Sequence, residues 1–162
     1  MTRKALLAQF PILIASTVIL LLHGCASGPR FEGMTAVPEN KALLYIYREA
    51  QMLGAADSFE VFVNGKEIVR MTNGGYYVHT LEPGPVVISH RPGYGPFANA
   101  FIAMSRALEP EKKGLISFNA EPNGVYYVEW KVEASGPKME TRDYETAINS
   151  LKDCKLLEAS ST

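Results

Sequence analysis

The stretch SFEVFVNGKEIVR, residues 58–70, decides the fold of this chain. Two short runs of β-branched and aromatic residues flank the pair Asn64-Gly65. An Asn-Gly pair between two such runs is the strongest short-range pattern of a β-hairpin, because both residues tolerate the positive φ angles of the tight turn. The stretch therefore predicts two antiparallel strands joined by a two-residue turn.

Similar runs recur along the chain at short intervals. They occupy residues 42–48, 76–81, 86–90, 115–119 and 125–132, with a weaker one at 138–144. Turn residues such as Asn73-Gly74 and Asn123-Gly124 lie between them. About seven short strands at this spacing, with little helical pattern, predict a mainly β chain that folds as a single antiparallel β-sandwich.

The chain also has two segments of helical periodicity. Residues 145–155 place Ala147, Ile148, Leu151 and Cys154 at helical spacing, which predicts a short C-terminal helix that docks on the sandwich. An insertion at 97–108 predicts a second helix with one apolar face, formed by Phe97, Phe101, Met104 and Leu108. Such a helix either closes an open end of the core or contacts a partner, since long connections within small domains are often functional.

The N-terminus has the layout of a secretory signal. Arg3 and Lys4 precede an apolar run from 5 to 22, and Gly24-Cys25 follows. A retained membrane helix is the alternative, because about 18 apolar residues nearly span a bilayer. Pro11 interrupts the run, however, and a polar segment rich in Ser, Gly and Pro follows at once, which favours a cleaved signal.

Residues 22–25, Leu-His-Gly-Cys, resemble the lipobox of bacterial lipoproteins, although His23 departs from the usual small or β-branched residue. The resemblance implies that Cys25 receives acyl chains such as palmitate and becomes the new N-terminus. Two or more chains make such an anchor stable, because each buried methylene contributes about 0.8 kcal/mol. Ala26, in place of the Asp typical of inner-membrane retention, favours the outer membrane, facing the periplasm of a bacterial cell envelope.

These boundaries divide the chain into four parts. Residues 1–24 are the predicted signal peptide, 25–40 a flexible tether, 41–157 the β-sandwich domain and 158–162 a tail. Without Arg3 and Lys4, 14 of the 16 basic residues remain against 17 acidic ones, a formal charge of −3. The bases form no cluster, so nucleic acid is not an expected partner.

The sequence contains no motif for catalysis, a cofactor or a metal. Ser89 and His90 are neighbours on a predicted strand and point to opposite faces, so they do not form a catalytic pair. A four-residue loop at 82–85 would pair the strands on either side of it and bring His79 and His90 to one face, but two nitrogens are too few for a zinc site. Cys154 has two interpretations, a buried apolar residue or a thiol that reacts or bridges to another chain.

Several motifs together resemble a bacterial lipoprotein family known only as domain of unknown function 2846. They are residues 42–48, the FEVFVNGK of 59–66, LEPG at 81–84, GVYYV at 124–128 and LKDCKLL at 151–157. The hairpin and the LEPG turn are also similar to the envelope β-modules of the PEGA type. The resemblance covers residues 41–157 and implies an envelope lipoprotein with a sandwich fold and no catalytic residues.

The sequence therefore predicts a protein that is not an enzyme and that binds another envelope protein or polymer. The expected contacts are the apolar face of the insertion and an outward tyrosine, since Tyr127 alternates with Val128 and Trp130 along its strand. A carrier that holds an apolar ligand such as a lipid between the sheets is the alternative. The membrane itself is the predicted partner of Cys25.

Overall fold

The fold is described by a computed structural model that covers residues 26–93 and 116–160. Within these ranges it contains nine strands and one helix. The elements are β1 (Ala42–Tyr47), β2 (Phe59–Val63), β3 (Lys66–Met71), β4 (Gly75–Leu81), β5 (Gly84–Pro92), β6 (Ile116–Ala120), β7 (Val125–Glu133), β8 (Gly136–Arg142), α1 (Tyr144–Leu151) and β9 (Lys155–Leu156).

The hairpin predicted from residues 58–70 is present as β2 and β3. Asn64 and Gly65 have φ angles of 49° and 79°, which is the double positive φ of a type I′ turn. The register shifts between Val61 and Phe62, so a bulge interrupts the pairing. The local sequence therefore specifies both strands and the turn between them.

The strands form two sheets that pack into a sandwich. One sheet has the order β8-β7-β1-β4-β9 and the other the order β3-β2-β5-β6. The mainly β sandwich expected from the sequence is thus confirmed, and the described residues contain nine strands where about seven were expected. The expectation that it is entirely antiparallel is wrong, because β1 pairs in parallel with β7 and β4 with β9.

The main core lies between the sheets and contains buried side chains from both. Trp130 of β7 and Phe59 of β2 meet there, with ring centroids 3.9 Å apart. Val128 and Trp130 point into this core, and Tyr127 points to the other side of the sheet. The alternation predicted for residues 125–132 is therefore correct.

A second core covers the outer face of the five-stranded sheet. Tyr45, Tyr47 and Tyr76 line this face, and α1 packs on it through Ala147 and Leu151. Asp143 caps α1, since its side chain accepts a hydrogen bond from the Thr146 amide at 2.9 Å. The helix docks as predicted but ends at Leu151 instead of continuing to 155, and Cys154 follows it in the chain.

The segment expected to be a flexible tether completes the second core. Phe31 lies edge-on to Tyr45 and Tyr76, at centroid distances of 6.3 and 5.5 Å. Its amide donates to the Cys154 carbonyl, and the Thr35 amide donates to the Tyr45 hydroxyl. Residues 26–37 therefore lie on the domain, because their few apolar side chains cover an aromatic sheet face that α1 leaves open.

The predicted tail is also attached to the sandwich. Ala159 forms a bridge with Val69, and the Ser160 amide donates to the Ile68 carbonyl at 3.1 Å. The Ser160 hydroxyl lies 2.6 Å from a carboxylate oxygen of Glu67. The folded domain thus includes residues from Ala26 to Ser160 that were expected to be tether or tail.

The sandwich has two ends, which we name after one residue at each. At the Asn73 end lie Ala26, Asn73 and the loop 49–57, which joins β1 to β2. At the Glu82 end, Lys41 forms an ion pair with Glu82 at 2.5 Å. β1 runs from one end to the other, a distance of about 20 Å at roughly 3.3 Å per residue.

Candidate functional site

The predicted histidine pair does not form. β4, which carries His79, pairs with β1, whereas β5, which carries His90, pairs with β2 and β6. Gly84 has a φ of 129°, and at this point the chain crosses from one sheet to the other instead of closing a hairpin. The two imidazoles therefore belong to different sheets.

Each histidine has an environment of its own. His90 is buried in the main core, edge-on to Phe59 and Trp130 at centroid distances of 5.7 and 5.9 Å. His79 is partly buried and stacks on Tyr77 at 6.4 Å. In residues 26–93 and 116–160, no group of three His, Cys, Asp or Glu side chains is arranged to hold a metal ion.

Cys154 is a buried thiol in the second core. Its sulfur lies 3.6 Å from the Arg48 carbonyl and 3.4 Å from the Ser150 carbonyl. Burial raises the pKa of this thiol to about 12, so the reactive thiolate is scarce at neutral pH. These observations favour the apolar interpretation of Cys154 over a bridge to another chain.

The predicted partner contacts lie mostly outside the described residues. This applies to Phe97, Phe101, Met104 and Leu108, and also to the predicted lipidation site Cys25. Tyr127 is described and is only 8 % exposed, because Tyr45 stacks on it at 5.7 Å and Tyr144 lies edge-on at 6.1 Å. An outward-pointing tyrosine on this strand is thus largely covered by the second core.

The Asn73 end brings together three separate parts of the chain. The Ala26 amide donates to the Asn73 carbonyl at 3.1 Å, and Ala26 is itself buried. The Asn73 side chain accepts a hydrogen bond from the Gln51 amide at 2.9 Å and donates one to the Gln51 carbonyl at 3.0 Å. Asn73 therefore joins the N-terminal segment to the loop 49–57.

Two large apolar side chains project from that loop into solvent. Met52 is 95 % exposed and Leu53 is 55 % exposed. Single exposed apolar residues are common on protein surfaces, and these two consecutive ones form a small apolar patch beside the Asn73 junction. We call the pair the Met52–Leu53 tip.

Arg48 fixes the base of the loop that carries this tip. Its guanidinium is fully buried and donates to the Asp57 carbonyl at 2.8 Å and to the Gly54 carbonyl at 2.7 Å. The guanidinium carbon also lies 5.0 Å from the centre of the Trp130 ring, within range of a cation–π contact. The loop is thereby tied to the main core at the ends of the Gly54 to Asp57 turn.

A comparison of the sequence with family models identifies the family of the chain. The model of a family described as a protein of unknown function, DUF2846, matches residues 38–143. This chain belongs to the DUF2846 family. The resemblance to DUF2846 that the motifs predict is confirmed, whereas the lipoprotein character and the PEGA-type similarity stay predictions. No curated protein and no solved structure matches the chain.

The DUF2846 match covers β1 to β8 and ends at the N-cap of α1. Residues 26–37, α1 and β9 lie outside it. Residues 26–37 and α1 cover the outer face of the five-stranded sheet, and β9 is an edge strand of that sheet. Arg48, the tip, Asn73 and Trp130 all lie within it. The Asn73 end therefore combines family-matched loops with the flanking N-terminal segment.

The sequence reasoning missed the Asn73 end. The sequence pattern places Arg48 at the end of a strand and gives residues 49–57 no periodicity, and a charged residue is rarely expected to be buried. The available indication was the pair Met52-Leu53 in an otherwise small and polar connection, AQMLGAAD. Nothing local shows that Asn73 pairs with Gln51 across 22 positions.

A pH-dependent prediction concerns His79 of the DUF2846 domain. Burial, and secondarily the charge of Lys66, lowers the pKa of His79 below 6.5. The unfolded chain then binds more protons, so stability is complete above pH 6.5 and falls as the pH drops through 6.5 towards the lower folded value. His79→Gln is expected to flatten this fall, measured by urea unfolding at several pH values.

Lys66→Gln is the matched control for the His79 prediction. Removing the neighbouring positive charge is expected to raise the pKa of His79 without removing the imidazole. Proton NMR titration of the ring reports that pKa directly. A His79 pKa at or above 6.5 in the unmodified protein would contradict the prediction.

Proposed function

We propose that this protein is a lipid-anchored lipoprotein of the bacterial cell envelope, attached through Cys25 to the outer membrane on its periplasmic side, and that its domain is a non-enzymatic interaction module. The observation that carries the anchor is the position of Ala26. It is buried and bonded to Asn73, so the folded domain reaches the residue that directly follows Cys25. A chain cleaved before Cys25 would therefore keep every residue of the described domain and would carry its lipid directly next to Ala26.

The described domain itself offers no membrane-spanning helix. In residues 26–93 and 116–160, no helix has both the length and the hydropathy needed to cross a bilayer. A lipid at Cys25 supplies attachment by a different route, because several acyl chains at one cysteine bury many methylenes. The proposal assigns the membrane contact to the acylated Cys25.

Mass analysis of the protein isolated from its own membranes tests the anchor. The expected chain begins at residue 25 and carries the added mass of acyl chains on that cysteine. A chain that retains residues 1–24 with an unmodified Cys25 would overturn the envelope assignment.

The interaction role rests on the polar chemistry of the described surface and on the filled core. One open groove of about 390 Å³ at the Asn73 end is lined by Glu49, Ala50, Asn149, Ser150 and Asp153. Four of its five lining residues carry polar or charged side chains, and it is open to solvent. Buried side chains from both sheets, including Phe59 and Trp130, pack into one cluster between the sheets, so the carrier alternative gains no support from the described residues.

The partner-binding part of the proposal centres on the insertion. Gly93, the last described residue before it, donates its amide to the Ser58 carbonyl at 2.7 Å, close to the loop 49–57. Crosslinking in intact cells is expected to capture a stable envelope partner. Phe101→Asp should abolish that capture without lowering the unfolding midpoint.

Val87→Asp is the matched control, because Val87 is an exposed apolar residue on the outer face of the four-stranded sheet, outside the insertion. It is expected to leave capture unchanged. Equal loss of the partner in both variants would contradict a specific role of the insertion. Absence of any partner in the unmodified protein would contradict the interaction module itself.

A further inference from the structure

The Met52–Leu53 tip lies beside the attachment point of the proposed anchor. We infer that this tip is a second membrane contact, which inserts into the interfacial region of the phospholipid bilayer that holds the Cys25 lipid. The inference rests on the proposed anchor. It adds a surface and a fixed orientation of the domain, with the Asn73 end towards the membrane and the Glu82 end away from it.

The tip and the proposed anchor are connected by one peptide bond and a few hydrogen bonds, and this closeness is the main support for the inference. Consecutive Cα atoms are about 3.8 Å apart, so residue 25 can lie no farther than that from Ala26. Ala26 bonds to the Asn73 backbone, the Asn73 side chain bonds to Gln51, and Met52 is the next residue. An acyl chain on Cys25 therefore starts within a few residues of the tip, with no flexible tether between them.

The tip is held outward by the structure of its loop. Arg48 binds the Gly54 and Asp57 carbonyls from inside, and a Cβ placed on Gly54 would come within 2.9 Å of Val132. The Gln51 side chain lies 3.3 Å from the Val132 amide. Since both sides of the loop are fastened to the core, Met52 and Leu53 cannot fold back onto it.

The charges near the tip identify the kind of contact. Glu49 and Asp57 are exposed on the same loop, and Asp153 lines the adjacent groove. These carboxylates oppose attraction to anionic headgroups, so the contact depends on the two apolar side chains. Two such residues bind a bilayer weakly alone, but the anchor holds them at a high local concentration beside it.

A fluorophore at the tip tests the inference in the full lipoprotein. Met52→Cys would be labelled with NBD after purification from membranes. Cys25 is blocked there by its lipid, and Cys154 is buried with a pKa of about 12. The protein would be reconstituted into vesicles of phosphatidylethanolamine and phosphatidylglycerol that contain nitroxide-labelled lipids. Glu82→Cys, at the other end of the sandwich with its side chain 78 % exposed, provides the matched control.

The expected result is a blue-shifted emission at position 52 and loss of most of its fluorescence to shallow nitroxide lipids. Position 82 should show neither change. Quenching at position 52 should not fall when salt is added, because the contact is apolar and salt screens the repulsion between the nearby carboxylates and anionic headgroups. It should diminish when Leu53→Asp is added but not when Leu53→Met is added.

Equal emission and quenching at positions 52 and 82, in protein whose Cys25 is shown by mass to be acylated, would overturn the membrane contact and leave the proposed anchor intact. An unmodified Cys25 would overturn both. A label at 52 that stays exposed to water in vesicles but crosslinks to a protein in cells would also overturn the inference, since a protein would then occupy the tip.

Discussion

Replacing Arg48 by methionine is expected to lower the free energy of unfolding by about 3 kcal/mol. The guanidinium is fully buried, and its two bonds to the Gly54 and Asp57 carbonyls are bonds to a charged group, worth roughly 1.5–3 kcal/mol each. Methionine retains the apolar stem but removes both donors and the contact with Trp130. Relief of the desolvation cost of the buried charge offsets part of this loss.

Urea unfolding of residues 26–162 measures the effect, and Arg48→Lys is the control. Lysine keeps the charge but cannot bind both carbonyls with one planar group. The free energy of unfolding of Arg48→Lys should therefore lie between those of Arg48→Met and the unmodified domain. Proteolysis within the loop 49–57 should be faster in Arg48→Met than in the unmodified domain. An unchanged unfolding midpoint together with unchanged proteolysis would contradict the role assigned to Arg48.

The hairpin at Asn64-Gly65 shows why part of this fold could be predicted from local sequence. Its turn requires positive φ at two consecutive residues, and few residue pairs other than Asn-Gly allow that. The strands on either side have only one way to pair across so short a turn. Here the sequence specifies both the elements and their partners.

The turn at 81–84 shows where such reasoning fails. Glu82-Pro83-Gly84 has ordinary turn chemistry, which suits a hairpin and a crossover between sheets equally well. The outcome depends on β4 pairing with β1 and β9 and on β5 pairing with β2 and β6. These partners are distant in sequence, so no local pattern distinguishes the two arrangements.

The N-terminal segment was mispredicted for a related reason. Residues 26–40 are rich in Gly, Ser and Pro, which is typical of a linker. Phe31 and Val37 pack on the tyrosines of the five-stranded sheet, and hydrogen bonds from backbone amides of the segment to Asn73, Cys154 and Tyr45 add to this docking. A segment with few apolar residues can therefore be ordered by a surface that its own composition does not reveal.

Arg48 and the Met52–Leu53 tip invert the usual distribution of residue types. The charged side chain is fully buried, and Met52 is almost completely exposed. Reasoning from residue type places each on the wrong side of the surface. This exchange occurs at the Asn73 end, so the part of the domain on which the proposed membrane contact rests is also the part that composition predicts least well.

Converting Cys25 to serine is expected to abolish acylation completely. The proposed modification attaches lipid to the thiol of Cys25. A serine at this position has no thiol, and the segment 22–25 then no longer resembles a lipobox. The variant should incorporate no labelled fatty acid, which is measured from the label in the purified protein. It should also keep residues 1–24, which is measured from its mass. The same loss should appear in Cys25→Ala, whereas Cys154→Ser should incorporate label as the unmodified protein does.

A second variant separates anchoring from folding. When residues 1–25 are replaced by a secretory leader that is cleaved before Ala26, the domain should partition into the aqueous phase of a detergent extraction. Each acyl methylene buried in the membrane contributes about 0.8 kcal/mol to membrane binding. The loss of several acyl chains therefore moves almost all of the protein into the aqueous phase. Its unfolding midpoint should be retained, because Ala26 still bonds to Asn73 and Phe31 still packs on Tyr45 and Tyr76. Membrane retention of this leader-replaced domain would mean that protein contacts, and not the lipid, hold it there.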